Sequence, residues 1–260
     1  MQDGSTELGE LLRFALEWAQ EAGDLTLRHF GTVLSSDTKG DGTPVTEADR
    51  GAEMLLREAI HRAYPRHGIL GEEFGEENPD AEVRWILDPI DGTRSFVRGI
   101  PLYGVLIGIE VQGTPSVGVA HFPALKETVG AALGHGCLWN GRPARVSSIR
   151  SLSQAAALTT EPADLLEGPE ALGWRKLVED CSLARTWGDC YGHILVATGR
   201  AEIMVDPILA PWDAAPFPPI LKEAGGRFTD REGREGSDGG SGISTNGFLH
   251  DEVLALLRGD

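Results

Sequence analysis

Residues 85–96 read WILDPIDGTRSF, an apolar run that closes on two aspartates three positions apart, with Pro89 between them and Gly92 and Thr93 behind. Trp85, Ile86 and Leu87 read as a central strand with both faces covered, and carboxylates buried beside it are expensive unless paired or bound to metal. Side chains alternate faces along a regular strand, so Asp88 and Asp91 would point apart. Pro89 is expected to end the regular ladder, which lets the chain turn and bring both carboxylates to one point. Gly92 permits close backbone approach, and Thr93 offers a hydroxyl. If both are buried, the fold has to supply something for these acids to bind.

Further acids stand at similar places. ILGEEFG (69–75) is a second apolar run that ends in Glu72 and Glu73, and APWDAA (210–215) sets Asp213 at the start of a helix. Carboxylates that converge without arginine partners repel one another. Hard divalent cations resolve the repulsion, and oxygen ligands suit magnesium. A two-metal cluster could hold a phosphate, polarise it and activate a water. Singly, each acid has a plainer reading. A strand-end aspartate is a turn residue, Glu72 and Glu73 form a solvated loop, and Asp213 is an N-cap. Asp49 is the acid of a T-x-x-D capping box that starts at Thr46. Spacing alone leaves both readings open.

The formal net charge is −17, with no clustered lysine or arginine run. A duplex-binding surface is basic, so nucleic acid and anionic membrane are excluded as partners of the global field. Bound cations would invert the local potential and admit a phosphate. Cys137, Cys181 and Cys190 are far apart, form no CxxC pair and leave one thiol over, which points to a reducing cytoplasm. The N-terminal MQDGSTELGE lacks the basic and apolar regions of a signal peptide, and the apolar stretches are too short to span a bilayer.

The 260 residues fit one domain, with lobes at approximately 1–150 and 151–260. Helical spacing of Leu8, Leu11, Leu12, Ala15, Trp18, Ala19 and Ala22 predicts a helix over 8–30, and a second runs from about Thr46 to Tyr64, closed by Pro65. SSDTKGDGTP (36–44) reads as an exposed, mobile loop. RWILDPI, LYGVLIGIEV and PSVGVAHF read as strands, the last two a hairpin on a QGT turn, and ETVGAALG and CLWNGRPARVS extend an antiparallel sheet. The second half alternates strands (155–160, 201–206, and one entered from KEAGGRFTD) with helices (169–181, 191–199, and the tail GFLHDEVLALLRG). GREGSDGGSG (233–242) reads as a solvent-facing loop. The pattern is layered α and β elements.

GEE (71–73), WILDPIDGT (85–93) and PWDAA (211–215), in that order, with PVTEAD (44–49) before the second helix, resemble the inositol monophosphatase-like family of magnesium-dependent, lithium-sensitive phosphatases. The resemblance covers nearly the whole chain. It implies an α/β/α/β/α five-layer sandwich, two or three Mg2+ ions per subunit, and a homodimer. It implies metal ligation by Glu72, Asp88, Asp91 and Asp213 and by the carbonyl of Ile90. Asp49 and Thr93 would orient and deprotonate the attacking water, and Glu73 would support the metal site. Gly92 and Thr93 would offer N–H groups to the phosphate. No covalent nucleophile stands out, and His29, His61, His67 and His250 lack ligand spacing.

Three stretches are more similar to the histidinol-phosphatase branch of that family than to the inositol branch: SFVRGIPLYGVLIGI (95–109), RTWGDCYGHILVATGRAEIMVDP (185–207) and KEAGGRFTD (222–230). L-Histidinol phosphate carries an ammonium near the ester, and Asp189, at a helix start, could accept its hydrogen bonds. The plainer reading of Asp189 is an N-cap. Arg185, Arg94 and Arg98 are rim candidates, and Trp187 a wall. Asp213 belongs to both metal and substrate in this reading. The alternative substrate is inositol monophosphate or a range of sugar phosphates. One departure from the family pattern follows Asp213, where Pro216, Pro218 and Pro219 interrupt an apolar helix. Pro216 fits an opening turn, whereas the other two are expected to distort or delay the helix.

Overall fold

The computed structural model describes residues 4–31, 37–38, 44–45 and 47–259. The chain opens with helix α1 (Gly4–Leu27), a paired couple of two-residue strands β1 (Asp37–Thr38) and β2 (Pro44–Val45), and helix α2 (Glu47–Ala63). Thr46 and most of the 36–44 stretch lie outside the described residues. Leu11, Leu12, Ala15, Ala19 and Ala22 are the buried face of α1, as their spacing predicts.

Eight strands follow: β3 (Gly68–Gly71), β4 (Gly75–Glu77), β5 (Val83–Asp91), then after the short helix α3 (Thr93–Phe96), β6 (Gly104–Val111), β7 (Thr114–Phe122), β8 (Glu127–Ala132), β9 (Gly136–Trp139) and β10 (Arg142–Pro143). They form one sheet in the order β10-β9-β8-β7-β6-β5-β3-β4. The sheet is mixed, which corrects the all-antiparallel expectation. β3, read above as an apolar run and not as a strand, lies parallel to β5, with Gly71 opposite Leu87. The crossover is tight because β4 turns back on β3 before the chain enters β5.

The second sheet runs β12-β11-β13-β15-β14, built from β11 (Ala156–Leu158), β12 (Leu183–Arg185), β13 (Ile203–Asp206), β14 (Arg227–Thr229) and β15 (Gly242–Thr245). Between these strands come α4 (Pro162–Glu167), α5 (Ala171–Asp180), α6 (Cys190–Ala197), α7 (Pro211–Ala214) and α8 (Phe217–Ala224), and α9 (His250–Arg258) closes the chain.

Three cores define the layers. α1 and α2 pack on one face of the first sheet through Trp85, Leu87, Ile107, Ile109, Val117 and Val119. The other face, with Leu106 and Ala120, meets α6, α8 and the second sheet through Ile194, Met204, Phe217 and Phe228. The far face of the second sheet is covered by α4, α5 and α9 through Leu165, Leu177, Val253 and Leu257. The result is the expected five-layer α/β/α/β/α arrangement.

The prolines after Asp213 act as expected, and the sheet shows why that is tolerated. The helix breaks into α7 and α8, so Pro218 and Pro219 fall in the first turn of a new helix, where an N–H has no intrahelical acceptor. The Ala215–Pro216 joint rests on Gly108 and Gly118, which pair across β6 and β7. A Cβ on Gly118 would lie 2.0 Å from the Pro216 carbonyl oxygen, and one on Gly108 would lie 2.4 Å from Ala215 Cβ. The 233–242 loop departs from expectation, because Ser237 and Ser241 within it are buried.

Candidate active site

Pro89 does not end β5. The strand continues to Asp91, but its register slips: Asp88 pairs with Leu106 and Asp91 with Gly104, so three steps on β5 match two on β6. The extra residue is a bulge, and it turns Asp91 to the face that Asp88 already occupies. Asp88 is buried, with Oδ1 accepting the Ile90 N–H at 2.9 Å. Asp91 Oδ2 accepts the N–H of Cys190, the first residue of α6, at 2.6 Å. Asp213 stands in the first turn of α7, with Oδ2 accepting the Ala210 N–H at 2.8 Å. One carboxylate oxygen from each of Asp88, Asp91 and Asp213 lies within 4.8 Å of the others.

The electrostatics follow from this crowding. Burial, then Glu72, Asp91 and Asp213, push the Asp88 carboxyl well above the usual range. Burial, then Asp189 and Asp213, do the same to Asp91 against the opposing Cys190 hydrogen bond. Asp213 is raised to about 6, chiefly by burial, with the Ala210 hydrogen bond pulling the other way. Such a site prefers either protons or a cation. Its donors are hard carboxylate oxygens, partly held by backbone N–H groups, and this donor chemistry fits a divalent cation of the magnesium type. The clustered triad is consistent with a metal-binding site.

The loop after β3 brings Glu72 alongside. Its N–H donates to the Leu87 carbonyl at 3.2 Å, and its charge acts on both Asp88 and Asp213. Glu53 and Arg57, one turn apart on α2, hold this loop. Glu53 accepts the N–H groups of Glu73 at 2.7 Å and Phe74 at 3.3 Å, while Arg57 donates to Glu53 at 2.8 Å and also to the Gly75 carbonyl. Gly71 has to be glycine here, because a Cβ would fall 2.0 Å from Glu53 Oε1. The signal in the sequence was an E-x-x-x-R pair on the buried face of α2.

Asp49 is fully buried, and its neighbour Ala48 packs with Ile90, Phe96 and Tyr103, which joins the start of α2 to the turn after Asp88. The Thr93 hydroxyl donates to the Ile90 carbonyl at 3.0 Å. Gly92 takes the left-handed conformation at φ 81°, and no side chain could be carried there: a Cβ would lie 2.9 Å from the Leu102 carbonyl oxygen.

Beside the triad lies a cavity of about 120 Å3, lined by Asp91, Asp189, Asp206, Asp213, Glu161 and Asp164 among others, with no lysine or arginine in its wall among the described residues. Asp189 precedes α6 but its side chain caps nothing, which removes the plainer reading; its N–H is held by Thr160 Oγ1 at 2.7 Å. Its carboxyl is raised to about 6 by burial and by Asp206 and Asp213, against Ser95 and Arg94. Arg185 is exposed on β12, with Nη1 on the Ala184 carbonyl, and is not among the lining residues. Trp187 is 43% exposed and does not line the cavity either. Asp206, Thr160 and His193 were not foreseen; a strand-end aspartate, a threonine just past a strand and a helical histidine look ordinary until the fold gathers them. Cys137, Cys181 and Cys190 are unbridged, and Cys137 and Cys190 are buried as small apolar groups. Among the described residues, no helix is long and apolar enough to cross a membrane.

The sequence model described as the inositol monophosphatase family matches residues 7–258. A histidinol-phosphatase of Chlorobaculum parvum is 48% identical over 95% of this chain and 96% of its own. One of Mycobacterium tuberculosis is 41% identical over 95% and 97%. Among solved structures, the extragenic suppressor protein suhB of Bartonella henselae superimposes with a TM-score of 0.88 at 31% identity, covering 96% of this chain and 98% of that one. The Thermotoga maritima IMPase gives 0.87 at 31% identity, covering 96% and 97%.

Proposed function

The chain belongs to the inositol monophosphatase family, and from that premise we propose that this metal-dependent phosphomonoesterase hydrolyses L-histidinol phosphate to L-histidinol and phosphate. The observation that carries the substrate is the acid-walled cavity beside the triad. A neutral polyol would leave these carboxylates facing each other, whereas an ammonium would offset them. The names borne by the Chlorobaculum and Mycobacterium relatives support the same substrate.

Asp88, Asp91 and Asp213 would hold Mg2+ with Glu72 and the Ile90 carbonyl, two or three ions in all, and Glu73 would steady the group. Bound there, the ions would neutralise charge on the phosphoryl oxygens and acidify a water. The N–H groups of Gly92 and Thr93, in the first turn of α3 where intrahelical acceptors are lacking, would take the phosphate. The Thr93 hydroxyl donates to the Ile90 carbonyl, and in that rotamer its free lone pair would be available to the attacking water. Rotation of that hydroxyl toward Asp49 would let the buried carboxylate receive the water's proton. Asp189 would accept hydrogen bonds from the leaving group's ammonium. The protein would act on a small phosphomonoester in the cytoplasm, where three unbridged cysteines are at home, as a homodimer and with no nucleic-acid partner.

The test compares kcat/KM on L-histidinol phosphate, inositol 1-phosphate and fructose 1,6-bisphosphate, with Mg2+ and with EDTA. L-Histidinol phosphate is expected to lead, and EDTA to abolish turnover. Asp189→Asn removes a charge-assisted hydrogen bond of about 1.5–3 kcal/mol, so the preference should fall roughly 10- to 100-fold. A lead for inositol 1-phosphate, or an unchanged ratio in the variant, would overturn the substrate.

A further inference from the structure

The cavity wall holds one imidazole among its acids. His193, on α6, is fully buried, stacks on Phe217 with ring centroids 4.4 Å apart, and lines the cavity together with Asp206. Its Nδ1 is 2.7 Å from Ser244 Oγ, and its Nε2 is 3.3 Å from Asp206 Oδ2. The ring N–H is not aligned on that oxygen, so neither Nε2 nor Oδ2 completes a hydrogen bond. The other oxygen of Asp206 is committed, accepting the Thr160 N–H at 3.0 Å. Asp206 is 3% exposed, and among the described residues His193 is its one ion-pair partner. Two buried groups with open valences thus face each other at the wall of a small polar cavity.

Buried polar groups are as a rule satisfied, and an exception calls for a reason. Hydrogen bonds of site groups that are long or poorly aligned in a free enzyme tighten in its substrate complex. Ser244 Oγ can donate or accept at Nδ1, and it is the Asp206 carboxylate, able only to accept, that favours the proton on the nitrogen facing it. A serine hydroxyl that donates to Nδ1 leaves the proton on Nε2, the nitrogen that faces Asp206.

We propose that His193 is a positioning residue: held between Ser244 and Asp206 as the Nε2–H tautomer, it steadies Asp206 with Oδ2 turned to the cavity, ready to accept a donor from a cationic leaving group. The proposal rests on the substrate reading above only for the identity of that group. His193 is not among the residues that would hold the metal or the phosphate, so its effect falls on substrate binding and not on the chemical step. An Nδ1–H tautomer would present a lone pair to the carboxylate and push it away.

Two measurements test this. The first needs no substrate: 15N imidazole chemical shifts of the folded protein are expected to show His193 protonated at Nε2 and not at Nδ1, and Asp206→Asn to lose that purity. An Nδ1–H tautomer in the wild type overturns the assignment whatever the enzyme hydrolyses. The second compares His193→Asn, which can meet Ser244 but falls short of Asp206, with His193→Gln, which extends further. On L-histidinol phosphate, His193→Asn should raise KM about tenfold with kcat within threefold, His193→Gln should recover most of it, and glycerol 2-phosphate should be indifferent to both. Equal changes on both esters, with both variants folded by thermal melting, would make His193 a packing residue and overturn the proposal. Wild type that shows no preference for L-histidinol phosphate, alongside the expected tautomer, would remove the substrate reading and leave the assignment of His193 standing.

Discussion

At the scale of single residues, the site is dominated by three crowded carboxylates. Asp88 is the most enclosed of them, 2% exposed and raised by burial first and then by Glu72, Asp91 and Asp213. Asp88→Asn removes the charge and keeps the shape. The metal-free variant should melt at the wild-type temperature or above, because a repulsion is relieved. Its activity should fall by more than about 100-fold, a loss already typical of weakening a group that merely supports a metal ligand. Added Mg2+ should raise the melting temperature of wild type and leave the variant unmoved, since only a folded state that binds the ion is stabilised by it. A variant that unfolds without metal would assign Asp88 a structural role instead. The aspartates themselves were legible in WILDPIDGT, since buried acids at the end of an apolar run have few explanations. Asp206 and His193 were not legible: an aspartate closing β13 and a histidine inside an apolar helix look ordinary until Thr160, just past β11, and Ser244, on β15, are brought to them.

At the scale of elements, the alternation of apolar residues made most helices and strands readable, including the buried stripe of α1. What alternation could not reveal was pairing. ILGEEFG carried its acids openly, yet nothing local distinguishes a loop from a strand that lies parallel to β5. The bulge was equally hidden, since Pro89 suggests the end of a ladder and only the partner register, Leu106 then Gly104, shows that the ladder continues. The glycines of β6 and β7 have a similar non-local reason. Gly118→Ala would place a Cβ 2.0 Å from the Pro216 carbonyl oxygen, and the joint that carries Asp213 would have to lift from the sheet. The expected loss is about 3 kcal/mol by urea unfolding, as for other overpacked cores, with weaker Mg2+ binding alongside. Gly51→Ala is the contrast: it sits inside α2, its Cβ would lie 3.5 Å from Leu25, and removing a helical glycine should stabilise by about 0.5–1 kcal/mol. Equal effects from the two substitutions would show that the sheet yields freely beneath the joint.

For the molecule as a whole, pH bears on the fold through buried histidines away from the triad. His250 sits between the hydroxyls of Thr229 at 3.0 Å and Thr245 at 2.9 Å, and burial lowers it from 6.5 to about 4. His121, beside Thr128 Oγ1, is likewise lowered to about 4 by burial. The native state disfavours the proton, so the unfolded chain binds more protons between these values. Each ring therefore contributes stability that is complete above about pH 6.5 and declines as pH falls toward 4. The raised carboxyls Asp189 and Asp213, both at about 6, act in the opposite sense over part of that range, so a difference isolates the imidazole. The advantage of wild type over His250→Gln should shrink by about 2 kcal/mol between pH 7.5 and pH 5 in denaturant titrations; a gap independent of pH would mean that His250 is not held neutral. The acids of the triad obey a different clock. A ribosome releases β5, with Asp88 and Asp91, long before it releases α7, with Asp213. A nascent chain halted upstream of Pro211 carries Glu72, Asp88 and Asp91 and lacks Asp213, so the cage stands open on the side that α7 closes. Closure of the cage thereby waits on α7, and a chain ended before Pro211 should bind Mg2+ more weakly than the whole one.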